Sequence, residues 1–211
     1  MTTTSPPRRA LVVIDVQNEY IDGKFRIEYP PVDSSLPKIA QAMDAAHAEG
    51  IPIFVVQHVL PSEAPIFAEG THGVRLHDTV ADRPFDYLLT KDLPSVFSAK
   101  DFDPWLKKKG IDTLVIVGYM THNCNDATAR DAMHRGYDVE ILSDAAGSLP
   151  YKNAAGTVSA EDLYRTTLIV MESAYGAVLT TDQWVASLKQ PLRAARDNIF
   201  HSNQRAIGAM R

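Results

Sequence analysis

Ala10-Leu11-Val12-Val13-Ile14-Asp15 is a run of five apolar residues closed by an acid, and its counterpart is Thr113-Leu114-Val115-Ile116-Val117-Gly118. A strand facing water on one side alternates apolar and polar residues. Unbroken aliphatic runs of this length suit strands covered by helices on both faces, as in parallel sheets. Outward from these two, strands are expected at 51–57, 87–90, 138–142 and 177–180. Between 33 and 49, Leu36, Ile39, Ala40, Met43 and Ala46 recur at helical spacing, with Ser34 or Ser35 as N-cap and Gly50 as C-terminal stop. Further helices are expected over 103–109, 125–134, from about Ser159 with Asp162 three residues on, and from Asp182. Strands alternating with helices imply right-handed crossovers and a three-layer α/β/α fold, Rossmann-like, with a mainly parallel sheet of about five or six strands.

The remaining features bound the class. With 211 residues the chain has the length of one domain, read here as 10–211 behind a polar, proline-containing tail at 1–9. Its 21 basic and 26 acidic residues leave a net charge of −5, the wrong sign for a nucleic-acid partner. No apolar run reaches the ~20 residues that span a bilayer, and the start lacks a secretory h-region, so a cytoplasmic protein without membrane attachment is expected. No dinucleotide or Walker-type glycine loop follows a strand.

In an open parallel sheet, ligands bind beyond the carboxyl ends of the strands. Three residues stand there. Asp15 ends the first strand, Lys91 follows the third, and Cys124, the one cysteine, lies near a helix start after Gly118. A lone cysteine is ordinarily a small buried hydrophobe. At a helix N-terminus beside a lysine, however, its thiolate is favoured, and an acid ending an apolar strand is placed to exchange protons.

These motifs, in this order, resemble the isochorismatase-like cysteine hydrolases, the family of nicotinamidases and N-carbamoylsarcosine amidohydrolases. Leu11 to Tyr20 looks like the family's first strand with its acid. Gly70-Thr71-His72-Gly73-Val74 resembles its Gly-Thr-x-Gly segment, and Thr90-Lys91 through Ser95 and Phe97 its lysine motif. Gly118-Tyr119-Met120-Thr121-His122-Asn123-Cys124, followed by Ala127 to Ala132, is similar to its nucleophile motif, and Asp144-Ala145 also fits. The resemblance implies a catalytic triad of Asp15, Lys91 and Cys124 and an oxyanion hole from the backbone N–H groups of Met120 and Cys124. It also implies a cis peptide at Tyr119–Met120 and a homo-oligomer, with the stretch from Trp184 to Arg211 as a candidate contact. The expected activity is hydrolysis of a non-peptide C–N bond in a small amide, imide or carbamoyl compound through a thioester.

Gln17 and Tyr20 are candidate substrate contacts, as are Tyr119 and His122 flanking the nucleophile. Relatives that act on nicotinamide commonly hold a metal through Asp-x-His after the second strand. Here that segment reads Gln57-His58-Val59-Leu60, so no metal or other cofactor is expected, and His58, His72, His77 and Asp78 remain the residues from which an unusual site would have to be built. Two other readings compete. A vinyl ether hydrolase of the isochorismatase type would not need Cys124, and a redox-sensing or ligand-binding module would not need Asp15 beside the sulfur. The long connection 59–86 and the segment 147–161 are expected to cover the pocket.

Overall fold

A computed structural model describes residues 5–190 and 192–208. Strands β1 (Arg9–Ile14), β2 (Ile53–His58), β3 (Tyr87–Lys91), β4 (Thr113–Tyr119) and β5 (Asp138–Gly147) alternate with helices α1 (Val32–Ala48), α2 (Asp78–Ala81), α3 (Phe102–Lys109) and α4 (Asp126–His134). A hairpin of β6 (Tyr151–Asn153) and β7 (Gly156–Val158) follows, then α5 (Ala160–Ala174), β8 (Ala177–Leu179), α6 (Thr181–Ser187) and α7 (Ile199–Ala206). Six strands form one sheet in the order β3-β2-β1-β4-β5-β8, every neighbouring pair parallel. The chain runs outward from β1 to β3, then restarts on the other side with β4. That reversal makes a switch point between β1 and β4.

The aliphatic runs behave as their pattern demands. Along β1, Leu11 and Val13 face a core built with Leu36, Ile39 and Met43 of α1 and Trp184 of α6. Val12 and Ile14 face the opposite core, with Phe102 and Leu106 of α3, Ala129 and Ala132 of α4 and Met171 of α5. All of β1 from Ala10 to Ile14 is inaccessible to water, and each large aliphatic buried this way contributes roughly 1.5–3 kcal/mol.

Several local expectations are corrected. The strand starts at Arg9, within the segment read as tail, because the Arg9 guanidinium is buried in a two-pronged pair with Glu140 at 2.8 and 2.9 Å. Residues 1–4 of that tail, and the end of the chain at Arg211, lie outside the described residues. Helix α1 is capped by Pro31 and not by Ser34 or Ser35: Ser34 Oγ donates to the Pro31 carbonyl, and Ser35 Oγ shares a hydrogen bond with the Tyr119 hydroxyl. β5 continues past Leu142 to Gly147, with an irregularity in its pairing with β4. The segment after it holds the β6–β7 hairpin that the sequence pattern did not mark. Ser159 does cap α5, accepting from the Asp162 amide.

Candidate active site

Asp15 follows the last residue of β1 with φ of 51°. Aspartate is among the few residues that enter this left-handed region readily. Beside it, Gly118 on β4 has φ of 104°, and a Cβ there would lie 2.0 Å from the Ile14 carbonyl oxygen. Only glycine lets the two strand ends approach this closely. The Tyr119–Met120 peptide that follows is cis. The chain then makes a wide turn in which the Asn125 amide donates to the Met120 carbonyl, five residues back, before α4 begins at Asp126. Cys124 sits in that turn, so the helix expected from 125 is preceded by a wider coil that carries the sulfur.

β3 reaches one residue further than expected and ends on Lys91, in register with His58 of β2. Lys91 is two strands away from Asp15, a lateral separation of about 10 Å, which its four-carbon stem crosses. Its ammonium group has three protons, and three acceptors surround it: Asp15 Oδ2 at 2.7 Å, His58 Nδ1 at 3.2 Å and Cys124 Sγ at 3.4 Å. The side chains of Asp15 and Lys91 are wholly buried. The second carboxylate oxygen, Asp15 Oδ1, has no hydrogen-bond partner among the described residues.

Burial governs the protonation states. It raises Asp15 above the usual carboxylate value, against the opposing pull of the Lys91 charge. Burial, reinforced by the charge of Asp15, pushes the Cys124 thiol up to about 12, with Lys91 working the other way. The helix-start argument for a ready thiolate is therefore corrected: the sulfur lies in a dry setting where desolvation outweighs the lysine. Burial and then the Lys91 charge push His58 down to about 4, leaving a neutral imidazole that accepts from the ammonium.

Other hydrogen bonds tie the elements carrying these groups. Thr128 Oγ1 donates to the Cys124 carbonyl and accepts from the Val96 amide, and Ser95 Oγ donates to Asp131, so the segment after Lys91 is bound to α4. Asn125 Nδ2 donates to the Gly118 carbonyl.

The four substrate-contact candidates separate. Tyr20 lines a cavity of about 130 Å³ that opens onto Cys124. Gln17 does not: its amide donates to the carbonyls of His58 and Val74 and accepts from the His58 amide, all in the protein interior. Tyr119 is fully buried against Ser35, on the core side of its strand end. His122 is half-buried, its Nδ1 paired with Ser148 Oγ and its ring edge-on to Tyr151. The cavity also exposes Phe67, which the motifs did not single out, and the side chain of Met120, whose Sδ the Tyr151 hydroxyl contacts at 3.9 Å. Phe67 and Tyr151 come from the two segments expected to cover the pocket, and hydrophobicity in loops of no periodicity was the only signal for them.

The Gly70 to Val74 segment acts as scaffold. A Cβ on Gly73 would meet Glu19 Oε2 at 2.3 Å, and the Val74 carbonyl accepts from both Gln17 and Gln57. The other two histidines considered for a metal are engaged separately: His72 with Asp22, and His77 capping α2 through Thr79. No group of three His, Cys, Asp or Glu able to hold a metal occurs among the described residues.

A doubly wound parallel α/β fold in which a carboxyl, an ammonium and a thiol meet at the switch point defines a class of nucleophile-bearing rim sites. The family model for the isochorismatase domain matches residues 9–183, and the chain belongs to that family of hydrolases. The secreted isochorismatase effector Isc1 of Verticillium dahliae is 32% identical over 180 residues, 85% of this chain and 92% of that protein. The ureidoacrylate amidohydrolase RutB of Methylobacterium radiotolerans is 28% identical over 222 residues, 90% of this chain and 83% of that protein. A Burkholderia xenovorans LB400 crystal structure, provisionally named an isochorismatase, is 49% identical, with a TM-score of 0.95 over 97% of this chain and 99% of that one.

Proposed function

We propose that this hydrolase cleaves the C–N bond of a small amide-type compound, with Cys124 as nucleophile, Asp15 as proton carrier and Lys91 as the charge that holds both. The observation that carries the reading is the ammonium bonded at once to the Asp15 carboxylate and to the Cys124 sulfur, in a water-excluded floor beneath a cavity. The likeness to an amidohydrolase agrees with it.

Because the thiol is held protonated at rest, deprotonation is coupled to attack. Asp15 Oδ1, the unpartnered oxygen, takes the thiol proton as sulfur bonds to the carbonyl carbon, and Lys91 stays beside the developing thiolate. The carbonyl oxygen becomes an oxyanion, received by the backbone N–H groups of Met120 and Cys124. As the tetrahedral species collapses, the C–N bond breaks and Asp15 returns its proton to the departing nitrogen, leaving a thioester on Cys124. Asp15 then takes a proton from water, whose oxygen attacks the thioester. Collapse of that second species releases the carboxylic acid, and the Asp15 proton restores the thiol. The raised pKa of Asp15 suits a group that accepts and returns a proton in each half of the cycle.

The isochorismatase name of one relative supports a second reading, vinyl ether cleavage, which requires the acid but no sulfur nucleophile. Cys124→Ala separates the two. Ammonia release from an amide screen is expected to vanish in this variant while its far-UV spectrum and melting temperature stay near wild type. Turnover that survives the substitution refutes the thioester route.

A further inference from the structure

The cavity above Cys124 has a composition that restricts what it accepts. Tyr20, Phe25, Leu60, Ile66, Phe67 and Met120 supply an apolar wall, and the aromatic part of it is interlocked, with Tyr20 and Phe67 ring centroids 5.0 Å apart and Tyr20 and Phe25 6.0 Å apart. The polar groups besides the nucleophile are the Tyr20 hydroxyl, His58 and Asn123. The one cation at the floor, Lys91, has all three protons engaged, and its charge is matched by Asp15. The acids whose charges act on the wall are Asp15 and Glu19, felt at Tyr20, and Asp92, felt at His58. Lys24 reaches only the Pro65 carbonyl on the outside, where it is exposed. Among the described residues, no arginine lines the cavity.

Resting on the hydrolase reading above, we propose that the substrate is an uncharged primary carboxamide with a small hydrocarbon acyl group, and that amides bearing a carboxylate are rejected. Two arguments support this. A cavity of about 130 Å³ is close to the ~150 Å³ apolar cavity that takes up benzene, so a hydrocarbon acyl group of that size with an unsubstituted amide nitrogen fills it. An additional carboxylate would be buried against aromatic and aliphatic side chains, with acids nearby and no unengaged cation among the described residues of the lining. An uncompensated buried charge of this kind is strongly disfavoured. Ureidoacrylate, named as the substrate of the RutB relative, carries such a carboxylate. In this cavity Leu60 holds the Phe67 and Glu69 backbone through its amide and carbonyl, and its side chain offers no charge.

The test is ammonia release from matched pairs, butyramide against succinamate and benzamide against 4-carbamoylbenzoate, by wild type, Cys124→Ala and Leu60→Arg. The uncharged member of each pair is expected to have the higher kcat/KM by on the order of 100-fold. Leu60→Arg is expected to narrow or invert that ratio by supplying the missing cation. Equal or better turnover of the acids by wild type, abolished in Cys124→Ala, overturns the pocket assignment and leaves the cysteine hydrolase intact. Wild type inert toward the neutral amides overturns it as well. Turnover undiminished in Cys124→Ala overturns the hydrolase reading itself.

Discussion

Replacing Lys91 with methionine removes a charge and keeps most of the packing volume, and the structure dictates how the damage depends on pH. Asp15 and Lys91 are wholly buried and 2.7 Å apart. Removing one partner of such a pair leaves an uncompensated charge at a cost of about 3–5 kcal/mol, provided the survivor remains charged. Burial already holds Asp15 above its ordinary value of 3.8, with Lys91 as the main opposing influence. A folded-state pKa above the unfolded one means the contribution to stability is complete below the unfolded pKa and is lost as pH rises through the folded one. Without the ammonium that rise in pKa is larger, so the extra loss in Lys91→Met grows with pH by up to about 1.4 kcal/mol per unit. As pH falls toward the ordinary carboxylate range the buried carboxyl takes up its proton, fewer anions are stranded, and the deficit of the variant shrinks. Urea unfolding of wild type, Lys91→Met and the Asp15→Asn/Lys91→Met double variant at several pH values from 4 to 8 measures this directly. The single variant is expected to fall progressively below wild type, and the double variant is expected to lose the pH-dependent part. A Lys91→Met deficit that is constant across this range would refute the argument.

Three other outcomes follow from particular contacts. Because the Cys124 thiol is pushed up to about 12, iodoacetamide labelling of this sulfur is expected to accelerate about tenfold per pH unit through pH 9, and a plateau near neutrality would contradict it. Gln17→Ala strands the interior amide and carbonyl of His58, so unfolding free energy should fall by about 1–3 kcal/mol for each group left unpaired. An unchanged urea midpoint with only KM raised would restore Gln17 as a substrate contact. Gly118→Ala drives a Cβ into the Ile14 carbonyl at 2.0 Å and is expected to yield insoluble or unfolded chain, checked by expression and circular dichroism.

What could be read from the chain and what could not divides by the range of the interaction. The five aliphatics of β1 are apolar on both faces, so the parallel sheet follows from a pattern only six residues long. The ends of α1 do not follow, because a serine that looks like a cap has two uses. Ser35 takes the distant one, to Tyr119, which no local spacing reveals. Gln17 failed for the same reason: a polar residue two positions past an acid reads as a ligand contact until the chain at His58 and Val74 closes around it. Arg9 reads as tail because its partner Glu140 is on another strand. The cavity wall was hardest of all, since Phe67 sits in a connection with no periodicity and owes its place to the Leu60–Ala68 bridge.

The sheet order also explains why the cluster combines these side-chain lengths. β1 and β4 are neighbours, and Gly118 lets them close on each other, so a short aspartate and a short cysteine meet at the switch point. β3 is two strands from β1 with β2 between, so a group contributed from there must be long, and it passes His58 on the way. Lysine meets both demands; arginine would replace a point charge with a planar fork of five donors, more than the three acceptors present. His58, kept neutral by the same burial and by Lys91 itself, occupies the third ammonium proton without adding charge. The ammonium is thereby fixed between a carboxylate whose proton affinity burial has raised and a thiol that burial keeps protonated. A substrate carbonyl arriving at Cys124 then meets a proton acceptor, a nucleophile and a compensating charge whose positions were set when β1 to β4 paired, before any substrate was bound.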